Sequence, residues 1–528
     1  MAETKKQSFF GGAAVLAAGI AMVKLIGAVF AIPLFNILGD AGAADFNNAY
    51  NIYATLLIVS TAGLPVALSK LVSEANTLGR GNQARRTFRV SFIAFVSLGV
   101  LSFLVMWFGD GWCAGLLHNP NAALGIRVLA PAVVCVGCLS AFRGYAQGSF
   151  RMTPTAVSQI LEALCKLFIG LALARRLMRA GLGASVAAAG AIGGVTAGTI
   201  LALVYMSGDY LLHRPTSRAT DRPEPGRAIL RRLVAIAVPI TVSSSMVSVI
   251  TLVDTSLVQG QLQNALGYTL DETRRLYGTY AAAMKLYNLP ASLMVALTAS
   301  VIPSLSSALA ARNRAQAARV MNASLRVTGL VAFPMGLGLW ALAEPIIHMC
   351  YPRYDYALGG ELLGVLGVAS LFVCLTLISN SILQAHNAVK VPILSMLLGG
   401  AVKIALNYRL AAIPSVNIHA APIGTLVCFA LSTAVNLFFV RLIARDKPSY
   451  LALFAKPLAA SLVMAFCTRA ACLLAQRFIG STVVCVALSL LLAVALYGAL
   501  TVRLRILTRD DLALLPKGDK LARLLKVK

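Results

Sequence analysis

Two lysines stand alone in long apolar runs, Lys24 in the stretch 9–38 and Lys285 in the stretch 279–310. An ammonium in hydrocarbon costs roughly 2.5 to 3.5 kcal/mol on insertion scales, so it normally faces a bundle interior or a water-filled cavity. Both lie too far inside their runs for the side chain to snorkel to an interface. Neither has an acid within one helical turn on its own segment. If each half of the chain contributes one of them to a shared cleft, the pair makes a binding site for an anion.

The remaining charges within apolar runs offer further chemistry. Glu162 and Lys166 are one turn apart with the acid first, the order that favours an intrahelical pair, and are expected to be a structural couple. Asp40 and Asp45 lie in the expected loop between the first two spans, Gly39 to Asp45, which has no basic residue. It reads either as exposed polarity or as a gate, in which Asp45 meets a cation of the other half when the cleft closes outward. Asp254 belongs to a stripe with Thr241, Ser244, Ser245, Ser248, Thr251 and Thr255, which recur at three- or four-residue steps. Such a stripe hydrogen-bonds neighbouring helices or lines water; for Asp254, interface exposure and cavity lining are both open.

Covalent chemistry has no visible seat. No phosphate-cradling Gly-rich loop is followed by Lys and Ser or Thr, and the five His are scattered without ligand spacing. The ten Cys, including Cys135 and Cys138, lie mostly in apolar runs and read as packing residues. The expectation is therefore no enzyme, no cofactor and no metal.

These residues must be positioned by membrane-spanning helices. Of the 528 residues 59% are hydrophobic and only 12% charged, and mean hydropathy is +0.80, far outside the range of soluble globular proteins. Apolar runs of helix length recur throughout, near 9–36, 50–72, 88–109, 123–148, 155–176, 184–212, 233–258, 277–309, 320–346, 358–384, 391–412, 418–443, 454–476 and 481–502. The first is too long for a signal-peptide core and reads as a span. The expected fold is all-α, a polytopic membrane protein of about fourteen helices. Its domains are an N-terminal six-helix lobe (1–213), a basic cytoplasmic linker (214–232), a C-terminal six-helix lobe (233–445), and two extra helices with a basic tail (446–528).

The net charge of +27 sits between the spans, mostly in alternate connections, which points to the positive-inside rule with both termini cytoplasmic and not to nucleic acid. Arg175, Arg176 and Arg179 run against that pattern. A faint repeat links the halves. Thr61-Ala62 with Pro65, Ser69 and Leu71 is echoed by Thr298-Ala299 with Pro303, Ser307 and Leu309, and Arg89-Val90 by Arg326-Val327. Parallel six-helix repeats are one way of building a two-lobed transporter.

On Lys24-Leu25-Ile26-Gly27 with the Gly39–Asp45 segment, on Ala62 through Lys70, and on Lys285 through Pro290 to Pro303-Ser304-Leu305-Ser306, the chain resembles the MurJ and stage V sporulation protein B group of lipid-linked oligosaccharide flippases. That group lies in the multidrug/oligosaccharidyl-lipid/polysaccharide exporter superfamily. The resemblance runs over nearly all of the chain. It implies that Lys24 and Lys285 are cavity cations for a pyrophosphate and that Asp45 is an acid of the first outer segment. Phe30, a residue near Ile58, and Asn288 stand where better-known members carry charge.

The implied function is a flippase that moves an undecaprenyl-pyrophosphate-linked saccharide, lipid II first, across the bacterial cytoplasmic membrane by alternating access, for peptidoglycan or polysaccharide biosynthesis and with a sporulation role as one setting. Its partners would be that lipid-linked substrate, the bilayer and the cell-wall synthesis machinery. The rival reading is a cation-coupled multidrug or metabolite antiporter of the same superfamily, which would want an acidic cavity.

Overall fold

The computed structural model describes residues 9–213, 220–444 and 446–506. Residues 214–219 of the expected linker, and Lys520 and Lys528 of the basic tail, lie outside the described residues. Every described element is helical. Helices are the natural answer to a chain this apolar, because in lipid each backbone N–H and C=O must be satisfied within its own segment.

Two compact units divide the chain, residues 1–278 and 279–528. The first is built from α1 (Phe9–Thr61), α2 (Leu64–Thr77), α3 (Gly81–Phe108), the short α4 (Asp110–Leu116), α5 (Ala123–Gly148), α6 (Thr153–Cys165), α7 (Leu171–Arg179), α8 (Ala184–Leu212), α9 (Gly226–Asn264) and the start of α10 (Leu270–Ala310). A π-helical turn, Lys166–Gly170, joins α6 to α7. α5 lies at the centre, against α1, α2, α3 and α8.

The second unit takes the rest of α10 and adds α11 (Arg314–Ala341), the short α12 (Ala343–Cys350), α13 (Tyr356–Ala385), α14 (Lys390–Leu410), α15 (Ala420–Ile443), α16 (Tyr450–Phe478) and α17 (Thr482–Arg503). Here α13 is central, packed on α11, α12 and α15. Polar side chains bond the helices to one another: Asn436 donates to Asn380 and Ser379 and accepts from Ser395, and Thr376 pairs with Thr433 at 2.9 Å. The order long helix, short helix, long helix in α3–α4–α5 recurs in α11–α12–α13. Arg89-Val90 falls on α3 and Arg326-Val327 on α11, so the sequence echo and the helix order agree.

Among the described residues eleven helices are long and apolar enough to cross a membrane, or twelve with the bent α9. The first of these, Ala18–Thr77, covers two expected spans, and α10 adds a further helix of 41 residues. The chain is a multi-pass membrane protein.

Two expectations about connections change. The segment 39–45 is not a loop: α1 runs on to Thr61, interrupted only at Gly39, whose φ of +70° suits glycine alone among the residues available. The junction of α1 and α2, at Ala62-Gly63, lets α9 approach so closely that a Cβ on Gly63 would sit 2.1 Å from the Ala237 carbonyl oxygen. The expected linker is also shorter, because α9 begins at Gly226.

The linker is docked on α2 and α3. α3 starts at Gly81 with no side-chain cap from its own N-cap residue, Arg80. Asp221 supplies the cap instead, its two carboxylate oxygens accepting the Asn82 and Gln83 backbone N–H groups at 2.9 and 2.8 Å. The Glu224 N–H then donates to the Gln83 side chain at 2.6 Å, and Arg232 reaches Glu74 at 2.9 Å and Glu224 at 3.3 Å. Desolvation pushes the Asp221 carboxyl up, but the backbone donors outweigh it and hold the carboxyl below its ordinary value. A depressed carboxylate contributes above its unfolded pKa, and the contribution is lost as pH falls through the folded value. Asp221→Ala is therefore expected to speed amide exchange at residues 81–84 near neutral pH in hydrogen–deuterium exchange. The difference from the unsubstituted protein should shrink in strongly acidic buffer.

Candidate functional site

Asp45, expected at an outer gate, is buried at 2% exposure and is the hub of the first unit. The Arg274 side chain, 10% exposed, grips it with two bonds, Nε to Oδ1 at 3.0 Å and Nη2 to Oδ2 at 2.6 Å. Asn119 donates to Oδ1 at 2.9 Å and Ser185 to Oδ2 at 2.7 Å. Arg274 also donates to Ser185 at 3.1 Å and to Asp271 at 2.8 Å. This fork-to-fork geometry is what a buried carboxylate needs, since each oxygen must find donors once water is excluded.

Local sequence places each member. Asp45 lies two turns beyond the break at Gly39, Asn119 just before the turn Pro120–Ala122, and Ser185 in the first turn of α8. Arg274 is held at the head of α10 by a capping box: Thr269 N–H and hydroxyl both donate to Glu272, and the Glu272 N–H donates to the Thr269 hydroxyl. Close to it, the Asp40 carbonyl oxygen lies where a Cβ on Gly278 would be, so only glycine fits there.

The α9 stripe continues the same seam. Thr241 accepts from the Gly63 N–H at 3.1 Å, Thr255 pairs with Tyr277 at 2.9 Å and accepts from Asn51 at 3.4 Å, and Gln259 exchanges two amide bonds with Asn48 at 3.0 and 3.2 Å. These members of the stripe act as bonds between helices. Asp254 is buried at 4% exposure within the seam, so interface exposure is not its role.

Glu162 and Lys166 do not pair. Glu162 takes Arg143 of α5 at 3.2 Å, and Arg143 Nε donates to Ser158 at 2.9 Å. Lys166 lies instead over the rings of Phe30 and Tyr50, 4.9 and 4.7 Å from their centroids. The backbone register itself is intact, the Lys166 N–H reaching the Glu162 carbonyl, so the separation is one of side chains: Lys166 turns to the rings and Glu162 to Arg143. A guanidinium reaching from α5 is also the better bonded partner for a carboxylate.

Lys24 is exposed on α1, without a hydrogen bond or ion pair among the described residues. Lys285 is half-buried on α10, one turn before Pro290, which removes a backbone donor and loosens the helix there. Asn288 is exposed and bonds back to the Met284 carbonyl at 2.7 Å. The two lysines belong to different units, and each unit presents its own.

Sequence reasoning missed Arg274, Arg143 and Asn119. Arg274 carried a signal, since it is a basic residue following an acid-rich helix start, placed near the end of a span where a gate partner was wanted. Arg143 and Asn119 carried none, because their partners are 19 and 74 residues away. The arrangement offers ion pairing, alternate pairing and anion attraction, all non-covalent.

Removing one partner of a buried ion pair strands the other, at a cost of about 3–5 kcal/mol. Asp45→Ala and Arg274→Ala are each expected to lower the melting temperature of the detergent-solubilised protein markedly. The double variant Asp45→Ala/Arg274→Ala should lose less than the sum of the single changes, with a coupling of about 1–3 kcal/mol in a double-mutant cycle. Additive losses would show that the bonds do not act as a unit.

Comparisons with known proteins agree with this architecture. The profile of the polysaccharide biosynthesis protein family matches residues 9–309, and that of MatE matches 239–409. Among curated relatives from Bacillus subtilis (strain 168), the uncharacterized membrane protein YabM is 26% identical over 99% of this chain and 97% of its own. The lipid II flippase MurJ is 24% identical over 81% of each, and stage V sporulation protein B is 23% identical over 82% and 83%. Among solved structures, lipid II flippase MurJ in an inward closed conformation superposes with a TM-score of 0.68 at 14% identity, over 92% of this chain and 98% of that one. A multidrug resistance MATE family transporter in an inward-facing conformation gives 0.65 at 13% identity, over 81% and 97%. With more than half of its length matched, this chain belongs to the polysaccharide biosynthesis protein family.

Proposed function

We propose that the protein is a flippase for an undecaprenyl-pyrophosphate-linked saccharide, lipid II in the first instance, acting by alternating access in the bacterial cytoplasmic membrane with both termini cytoplasmic. The observation that carries this reading is the charge of the apolar helices. Each unit presents a lysine, Lys24 or Lys285, well inside a span, where a cation is costly unless it serves an anion. The similarity to MurJ and stage V sporulation protein B supports taking that anion as the diphosphate of a lipid-linked saccharide.

In this mechanism Lys24 and Lys285 hold the pyrophosphate and replace part of its hydration, while the polyprenyl tail stays in lipid. Two six-helix lobes, 1–213 and 233–445, rock about the connection that ends where α9 begins at Gly226, and the helices of 446–528 flank the tail. The Asp45–Arg274 clasp is the outer gate: it brings the head of α10 onto α1 and α8, and its release would open the outer face. Asp254 lies in the same seam and is proposed to couple to that movement. The cell-wall synthesis machinery would supply and consume the substrate.

The match of the MatE profile to residues 239–409 favours a second reading, a cation-coupled antiporter. An antiporter for cationic drugs would place acids, not lysines, in its cavity, and the two readings separate experimentally.

Depletion of the protein in a strain without a second flippase is expected to abolish lipid II accessibility at the outer leaflet, measured by labelling of intact cells. Lys24→Ala and Lys285→Ala should each fail to restore it, while Lys24→Arg should restore it in part. Unchanged accessibility on depletion would remove the lipid II assignment. Drug sensitivity that follows depletion while accessibility stays normal would favour the antiporter.

A further inference from the structure

We propose that Lys166 is a third anion-binding cation, forming a subsite in the first unit for a phosphate oxygen of the substrate's diphosphate; this rests on the flippase reading above. The ammonium lies over two ring faces, Phe30 at 4.9 Å and Tyr50 at 4.7 Å. Rings attract a cation, by about 2 kcal/mol or more where water is scarce, but they do not satisfy three N–H donors. Among the described residues no carboxylate, hydroxyl or carbonyl oxygen accepts from Lys166. The donors are held in place and left for something else.

The acid one turn away is already committed. Glu162 bonds Arg143, which also bonds Ser158, so the group Arg143, Glu162 and Lys166 carries one excess positive charge within the helices of a membrane protein. A cation needed only to neutralise Glu162 would make Arg143 redundant.

The platform beneath Lys166 is firm. Phe30 is buried at 3% exposure and meets Phe46 at 6.1 Å, Phe46 stacks on Tyr50 at 6.0 Å and 9°, and Tyr50 packs on Tyr53 at 5.7 Å. Lys166 stands where α6 gives way to the π-helical turn Lys166–Gly170, and such turns recur at functional sites. Gly170 lets the turn pack closely, since a Cβ there would come within 2.9 Å of the Ala191 carbonyl oxygen and 3.3 Å of Phe30. Lys166 itself is half-buried, so an oxygen can reach it. A stiff aromatic cradle with an unaccepted ammonium at its open side suits a multiply charged oxyanion better than a neutral sugar. The diphosphate is the part of the proposed substrate with that chemistry, whether borne by a lipid or free.

The test uses the full chain in nanodiscs and two probes, geranylgeranyl pyrophosphate and inorganic pyrophosphate, with binding read by microscale thermophoresis. Lys166→Met keeps an apolar stem over the rings and removes the charge; Lys166→Arg keeps the charge; Lys166→Gln is the second neutral variant should the Met protein fail to fold. Loss of one charge-assisted bond predicts that the neutral variant weakens the prenyl probe about tenfold or more, with the Arg variant close to the parent protein. A parallel loss for inorganic pyrophosphate supports a receptor for the diphosphate itself, and a loss confined to the prenyl probe supports one that reads it only on a lipid. If a folded neutral variant binds like the parent protein while Lys24→Ala is weakened, Lys166 is not a subsite and the flippase reading stands. If the unsubstituted protein binds neither probe, both fall together.

Discussion

A carboxylate buried against a guanidinium needs donors on both of its oxygens once water is excluded, and the Asp45–Arg274 pair is built to that requirement. Four parts of the chain converge on it: the second stretch of α1, the turn before α5, the head of α8 and the head of α10. The seam from Thr241 to Gln259 then lies along the same helices and is bonded in the same style, by side chains that satisfy one another across the gap. Much of what attaches α9 and the first turns of α10 to the first unit is therefore polar. Polar seams of this type can be exchanged for water when a face opens, whereas a seam of interlocked leucines would lose its hydrophobic contribution on opening.

The charges inside the helices fall into distinct classes of environment. Asp45 with Arg274, and Glu162 with Arg143, are bonded pairs whose role is structural integrity or a switch between pairings. Lys166 is steadied by rings without a bonded acceptor. Lys24 stands exposed on α1. The gradient from fully satisfied to open follows a simple logic: a charge that holds the protein together must be satisfied by the protein, and one that meets a ligand must keep donors for it.

The fold was legible to a high degree because hydropathy dominates a membrane chain. Run lengths set the helices, and the polar stripe on α9 was recognisable from its three- and four-residue steps. What the residues did not disclose was of two kinds. Glycine 39 looked like part of a loop, yet a single positive φ bends the backbone without ending the helix for more than one residue. Glu162 and Lys166 looked like a pair, because an i,i+4 rule weighs only two residues of one helix and is blind to Arg143 and to the rings of Phe30 and Tyr50. Partners distant in sequence stayed hidden for a more general reason: Arg143 and Asn119 are ordinary residues until folding brings an acid to each.

The cap that Asp221 places on α3 has a bearing on how the chain is made. Its partners, Asn82 and Gln83, leave the ribosome 139 and 138 residues earlier. During synthesis, which proceeds from the N-terminus, the first turn of α3 is thus already made while its cap has yet to be translated. The early helices remain incompletely tied until the sixth span has been delivered and the linker emerges. Closure of that clasp is a natural marker that the first half has assembled in the right order, and a chain truncated before residue 221 would lack it however well its spans insert.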